Sequence, residues 1–302
     1  MNTQNNLTIL KRRKTIFIVI MLLLPLAQFV ILTMYPTVKT ILMAFESPTR
    51  PGEFGLFENL ETFKIEWESG TMWKNAVANS LGYFPASVLI MLPLSIITAY
   101  ILYKKLPCAS FYKIVFFLPN IISITVMGLA FRNMFSMNGP VNALLKAMGV
   151  SVDNIPVWFN DEKVTMKLLY FYSIWAGIGY NCVLLFGALS RIPTEIMESA
   201  ELDGCKTFRM LFSVCIPIMW PTISSMIIFG TTTVFAMFIH SEVLTDGTGN
   251  TETIALIIMR RIRNGKNPNY AAALSLMLTL IAVPIVQGVK KLLDKMYDAV
   301  EV

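Results

Sequence analysis

Histidine occurs once in these 302 residues, as His240, and cysteine four times, as Cys108, Cys182, Cys205 and Cys215. A single histidine excludes a histidine-rich metal site, and the cysteines show no paired spacing, so they read as reduced structural residues and no metal is expected. Charge is scarce as well: 15% of residues are Asp, Glu, Lys or Arg, against about 25% in soluble domains. Several catalytic signatures are missing. The chain has no G-x-x-x-x-G-K-[ST] phosphate loop, because its glycine cluster Gly247-Thr248-Gly249 lacks the lysine, and it has no HExxH or GxSxG. No group of carboxylates inside an apolar run suggests a proton relay. These absences leave no catalytic residue and no cofactor to assign, and they put any ATP hydrolysis on another polypeptide. They count against an ion-coupled secondary transporter, which needs a protonatable residue in mid-span, and against an intramembrane enzyme, which needs a catalytic dyad there. His240 could titrate, but at the outer end of a span it reads as an interfacial residue.

What is abundant is apolar. Hydrophobic residues make up 55% of the chain and the mean hydropathy is +0.61, which implies an integral membrane protein embedded in a lipid bilayer. The net charge of +6 and the pI near 9.1 come from basic residues scattered between apolar runs. That distribution fits a membrane surface and not nucleic acid. A helix needs about 20 apolar residues to cross a bilayer, and uncharged runs of that size fall near 15–38, 75–103, 114–131, 168–190, 218–240 and 269–289. The expectation is an all-α protein with a tail over 1–14 and one six-span domain over 15–302. Pro217 and Pro221 mark a bend before the fifth span proper.

Orientation follows from lysine and arginine in short loops. Lys11 to Lys14, the group Lys104, Lys105 and Lys113, the group Arg191, Lys206 and Arg209, and the group Lys290, Lys291 and Lys295 fall on one side. That side is expected to be the cytoplasm, with both termini on it. Arg260, Arg261, Arg263 and Lys266 then lie outside, against the rule. The external segments 46–74, 132–167 and 241–268 carry turn residues such as Pro48, Pro51, Gly52 and Asp246-Gly247.

Between the fourth and fifth spans the chain becomes acidic and polar, in "EIMESAELDGCKTFRMLFSVCIPIMWP", residues 195–221. Pro193 can open a helix whose first turns hold Glu195 and Glu198, where the helix dipole favours acids. Asp203-Gly204 supplies a stop, with Gly204 suited to a left-handed C-terminal turn. A second helix should carry Phe208, Leu211, Phe212 and Val214 on an apolar face. The result is a helix–turn–helix over 193–217, where a bare connector would be the plainer alternative.

The run from Trp175 to Pro221 resembles the permease subunits of bacterial ATP-binding-cassette carbohydrate importers of the maltose and glycerol-3-phosphate type. Glu198, Ser199 and Ala200 stand at the E-A-A positions of their signature, Asp203-Gly204 at its turn, and Pro217 and Pro221 at its end. Phe117-Leu118-Pro119, the Gly139-Pro140-Val141-Asn142 turn, and Leu244-Thr245-x-Gly247 with Thr251-Glu252-Thr253 extend the similarity over nearly the whole chain. Ser199 and Cys205 stand where alanine is usual. The resemblance implies the type I importer permease fold in a bacterial inner membrane. It also implies a second permease as partner, two cytoplasmic ATPase subunits, an extracytoplasmic solute-binding protein and a carbohydrate substrate. Glu198, Ser199, Ala200, Asp203 and Gly204 would then contact the ATPase. Candidate substrate-path residues are Gly177, Tyr180 and Asn181 of the fourth span and Thr231, Thr232 and Thr233 of the fifth. Close helix packing by glycine and back-bonding by threonine are the competing roles.

Overall fold

The computed structural model describes residues 2–50, 52–104, 109–265 and 267–296; Pro51, Lys105, Cys108, Lys266 and residues 297–302 lie outside the described residues. The described chain is helical, with a single isolated antiparallel bridge between Glu46 and Phe54. Its helices are α1 (Asn2–Phe29), α2 (Tyr35–Ala44), α3 (Leu56–Ser69), α4 (Met72–Phe84), α5 (Leu92–Tyr103), α6 (Ala109–Ile121), α7 (Ile124–Met134) and α8 (Pro140–Ala147). Then follow α9 (Thr165–Leu189), α10 (Thr194–Leu202), α11 (Thr207–Met210), α12 (Ile216–Ile218), α13 (Trp220–Ala236), α14 (Ile239–Thr245), α15 (Ile254–Arg263) and α16 (Pro268–Met296).

Among the described residues, four helical stretches are long and apolar enough to cross a bilayer: Arg12–Ala44, Met72–Tyr103, Thr165–Leu189 and Pro268–Met296. Two bent pairs, Ile114–Ile121 with Ile124–Met134 and Thr207–Ile218 with Trp220–Ala236, raise the number to six when each is taken as one span. The expected uninterrupted run from 114 to 131 is therefore not one helix: it stops at Ile121 and resumes at Ile124 after a turn of 110°. Ser123 takes an extended backbone and its carbonyl accepts the first bond of α7 from the Met127 N–H at 2.9 Å. Pro119 in the turn before has no N–H to hold the ladder. An uncharged run reports the length of an apolar stretch and not its direction. The second pair bends by 77° about Met219, between Pro217 and Pro221.

Prolines also account for the three wide turns. π-helical turns occupy Val30–Met34, Pro85–Met91 and Leu211–Cys215, and each ends two residues before a proline, Pro36, Pro93 or Pro217. Proline cannot donate to the carbonyl four residues back, and in hydrocarbon an unpaired carbonyl is costly, so the helix widens by one residue to reuse it.

Packing divides the chain into two units, one of Met1–Lys64 with Arg261–Met277, the other of Ile65–Arg260 with Leu278–Val302. In the first, Ala44 lies against Ala272 and Ala273, small residues that let helices approach closely. The carbonyls left at the end of α2 are satisfied by side chains: Asn59 donates to Ala44 and Glu46, and Asn269 to Ser47 at 3.1 Å. Arg261 lies over the Tyr270 ring at 4.9 Å. In the second unit α9 is the central element, packed on α5 and α6. One core cluster gathers Leu92, Tyr100, Leu189, Met197, Met210 and Cys215, and another Tyr83, Phe131, Leu169, Tyr172 and Leu244. Cys182, Cys205 and Cys215 are free thiols.

Two of the arginines that oppose the charge rule, Arg260 and Arg261, hold parts of the fold together. Arg260 holds the 246–252 turn, bonding Asp246 through its carboxylate at 2.9 Å and through its carbonyl, and Glu252 at 2.7 Å. Thr245 and Thr251 share a hydrogen bond at 2.6 Å beneath it, and Asn79 donates to the carbonyls of Asn250 and Glu252. Asp246, Gly247, Gly249 and Asn250 all have positive φ, which accounts for the residue types of this stretch.

Candidate functional site

The acidic segment folds as two helices around a rigid turn. Pro193 precedes α10, whose last turn closes with the Cys205 N–H bonded to the Ala200 carbonyl and the Gly204 N–H to the Glu201 carbonyl, each at 3.0 Å. This pair of bonds is a Schellman motif, and it requires the left-handed conformation that Gly204 adopts at φ +76°. A Cβ at Gly204 would meet nothing within 4 Å, so the glycine is there for its backbone and not for room. Glu198, Ser199 and Asp203 are exposed and Ala200 is half-buried.

Beyond the turn, the expected apolar stripe divides. Leu211 is 2% exposed and Val214 half-buried, whereas Phe208 and Phe212 point outward at 73% and 62% exposure. At about 100° per residue the four span a wide stripe, with Phe208 and Phe212 one turn apart on its outer edge and Leu211 and Val214 on the packed side. With Leu202, 89% exposed, three large apolar side chains project from this segment.

The segment is fastened to the end of α5. Tyr100 donates to the Thr207 carbonyl at 2.9 Å, and Lys104 pairs with Glu201 at 3.3 Å. Burial alone would pull the Lys104 ammonium down, but the Glu201 carboxylate and Tyr100 outweigh it and raise the group above the ordinary lysine value. Met197, Met210 and Cys215 are buried beneath, in the cluster that includes Tyr100.

A second feature lies within the spans. A cleft of about 320 Å³ opens between the π-turn at Pro85–Met91, the α6–α7 break, α9 and the end of α13, with Ser87, Asn120, Tyr172, Ser173, Thr233 and His240 as its polar lining. None of its lining residues is Asp, Glu, Lys or Arg. Of the substrate-path candidates, Gly177 and Thr233 line it; Tyr180, Asn181, Thr231 and Thr232 do not. Successive residues on a helix point about 100° apart, so one of three adjacent threonines faces a given cleft. Their hydroxyls bond back to Ile227, Ile228 and Gly230 of their own helix. Tyr180 and Asn181 fall a turn beyond the cleft. Gly177 also serves packing, since a Cβ there would lie 2.4 Å from the Met91 sulfur.

Ser87, Asn120, Tyr172 and Ser173 went unread in the sequence. Asn120 is brought in by the break after Ile121, and Ser87 by the widened turn before Pro93, so prolines in mid-span were the available signal. His240 is 8% exposed and lines the cleft, because α13 ends at Ala236 and α14 turns the histidine inward.

An all-helical chain that crosses a bilayer several times, with an uncharged polar cleft among its spans, is built as a membrane transport component. It belongs to the family described as binding-protein-dependent transport system inner membrane component, which matches residues 14–295. The chain is accordingly a multi-pass permease subunit that works with a solute-binding protein, and not the ATPase of such a system. Among its relatives, the lactose transport system permease protein LacF of Rhizobium radiobacter is 27% identical, over 85% of this chain and 87% of its own. The multiple sugar-binding transport system permease protein MsmF of Streptococcus mutans serotype c is 25% identical, over 92% and 94%. A crystal structure of a bacterial ABC transporter involved in import of the acidic polysaccharide alginate shares the fold, with a TM-score of 0.80 at 20% identity over 95% of this chain and 99% of that one.

Proposed function

We propose that this permease carries a carbohydrate, delivered by its solute-binding protein, through a pathway it forms with a second permease. Two cytoplasmic ATPase subunits drive the system, and the segment 193–217 is the element that docks on them, through Glu198, Ser199, Ala200, Asp203 and Gly204. Both termini and this segment lie on the cytoplasmic side. The observation that carries the docking role is the exposure of Leu202, Phe208 and Phe212 beside the exposed Glu198, on a turn held rigid by its own hydrogen bonds. A bare connector gains nothing from three bared apolar side chains, whereas a helix seated in a groove of another protein uses them as anchors. Support for a carbohydrate comes from what the relatives are named for, lactose and multiple sugars among them. Orientation is supported by the four basic groups, and two of the arginines that oppose it, Arg260 and Arg261, are engaged with Asp246 and Glu252 and with Tyr270.

Glu198→Lys tests the docking role. Reversing a charge that faces a basic groove removes about 2 kcal/mol or more of binding. The variant is expected to insert normally while co-purification of the ATPase falls by about thirtyfold, and Glu68→Lys on the exposed end of α3 should leave association intact. Equal recovery of the ATPase with both variants would make the segment a connector. Topology is checked separately: single cysteines at Asn2 and Val302 should be shielded from an impermeant thiol reagent in intact cells and one at Asn250 should react. Labelling of both termini from outside would reverse the orientation.

A further inference from the structure

Lys11-Arg12-Arg13-Lys14 precede the first long apolar run, and the chain holds no aspartate or glutamate before Glu46. The four residues lie within one continuous helix, α1, which carries on into that run. At about 100° and 1.5 Å per residue, four consecutive basic positions point to every side of a helix within about 5 Å of its length. They form a collar and not a stripe. Arg12, Arg13 and Lys14 are exposed, as is each residue after them as far as Leu42, and the three form no ion pair among the described residues. The other basic groups assigned to the same side have acids beside them. Lys104 pairs with Glu201; Arg191, Lys206 and Arg209 share their segment with Glu195, Glu198 and Asp203; and Asp294 stands between Lys291 and Lys295. The collar has no counter-charge from its own stretch of chain. A groove in a protein would meet one side of it, whereas phospholipid headgroups surround a helix that is bare on all sides. At the end of an apolar run the collar lies at their level, and anionic headgroups attract each lysine or arginine placed there.

We propose that the collar at residues 11–14 is a binding site for anionic phospholipids, which it gathers around the cytoplasmic end of the first span. The inference rests on the orientation proposed above for the choice of leaflet, and the test separates the two.

The whole importer, with its partner permease and ATPases, is reconstituted in vesicles of phosphatidylcholine and phosphatidylglycerol, with a tracer of one or the other radiolabelled. The photo-cross-linking residue benzoylphenylalanine replaces Ile16, just past the collar, or Phe29 on the same helix, both exposed. Phe29 lies about 20 Å further along and so in the other leaflet. Capture of each lipid is measured relative to its share of the vesicle. The expected result is an excess of phosphatidylglycerol over phosphatidylcholine of about threefold or more at Ile16 and near parity at Phe29. Lys11→Gln, Arg12→Gln, Arg13→Gln and Lys14→Gln together should bring Ile16 to the Phe29 ratio, whereas Arg12→Lys with Arg13→Lys should keep the excess. Co-purification of the ATPase shows that each variant is assembled. Raising salt from about 0.05 to about 0.5 M tests the same charge without a mutation and should lower the wild-type excess by about half or more. A wild-type ratio at Ile16 no higher than at Phe29, an excess untouched by the glutamine variant or by salt, or capture of a protein subunit in place of lipid overturns the proposal. The vesicles carry the same lipids in both leaflets, so these ratios do not depend on orientation. Labelling of a cysteine at Asn2 from outside intact cells would instead reverse the orientation and place the collar in the outer leaflet, with the capture ratios unchanged.

Discussion

Gly204→Pro is expected to leave the chain inserted in the membrane and to abolish solute uptake, with the ATPase no longer co-purifying. Two requirements meet at this residue. Its φ of +76° lies where proline, fixed near −65°, cannot go. Its N–H also closes the last turn of α10 on the Glu201 carbonyl at 3.0 Å, and proline has no hydrogen to donate. With that bond lost, the Cys205 N–H no longer meets the Ala200 carbonyl, and α11 leaves the turn in another direction. Tyr100, which holds the Thr207 carbonyl from α5, would be pulled from its partner. Gly204→Ala isolates the backbone contribution. Open space surrounds the site, so the added methyl costs only the left-handed conformation, about 1–2 kcal/mol. Uptake should therefore fall partially in Gly204→Ala and completely in Gly204→Pro. Uptake and ATPase recovery are measured in the same cells, and wild-type values in Gly204→Pro would mean that the turn plays no part in coupling.

This turn was legible in the sequence because its chemistry is local. Glycine after Asp203, acids in the first turns and a proline ahead of the helix each act within four residues, and the Schellman bonds follow from them. The direction of the third span was not legible. Ile114 to Phe131 is uncharged throughout, yet the backbone turns by 110° at 122–123, and hydropathy averages over such a break. The cleft was legible only in part for the same reason. Gly177 and Thr233 were reached by residue type, while Asn120 and Ser87 depend on where prolines widen or end a helix, and His240 on the stop at Ala236. Phe208 and Phe212 lie at the outer edge of an apolar stripe wider than the face the protein buries, and residue spacing alone does not tell a buried apolar edge from an exposed one. The family itself was carried by residues spread from Phe117 to Thr253, whose types are dictated by turns and caps more than by the spans.

Gly179→Ala is expected to destabilise the second packing unit severely, despite adding a single methyl group. The α-carbon of Gly179 on α9 faces the backbone of α6 so closely that an added Cβ would lie 2.0 Å from the Phe116 carbonyl oxygen and 2.9 Å from the Asn120 amide nitrogen. A side chain at the clash could rotate aside, but a helical carbonyl cannot, so the two helices must part. Parting them breaks the Asn120 bond to the Ala176 carbonyl at 2.8 Å. Overpacking of this kind costs about 1–3 kcal/mol and occasionally more, here with the lost hydrogen bond added. The control lies two turns along the same helix: Gly187 is exposed and has nothing within 4 Å of its would-be Cβ. At that position alanine should be neutral or stabilising, since it favours the helix by about 1 kcal/mol over glycine. Thermal unfolding of the detergent-solubilised complex provides the comparison. The midpoint should drop by several degrees in Gly179→Ala, at about 2–4 °C per kcal/mol for a chain of this order of size, and hold or rise in Gly187→Ala. Equal midpoints in the two variants would show that α6 and α9 do not meet backbone to backbone at Gly179, and the wall they give the cleft through Asn120, Ala176 and Gly177 would have to be redrawn.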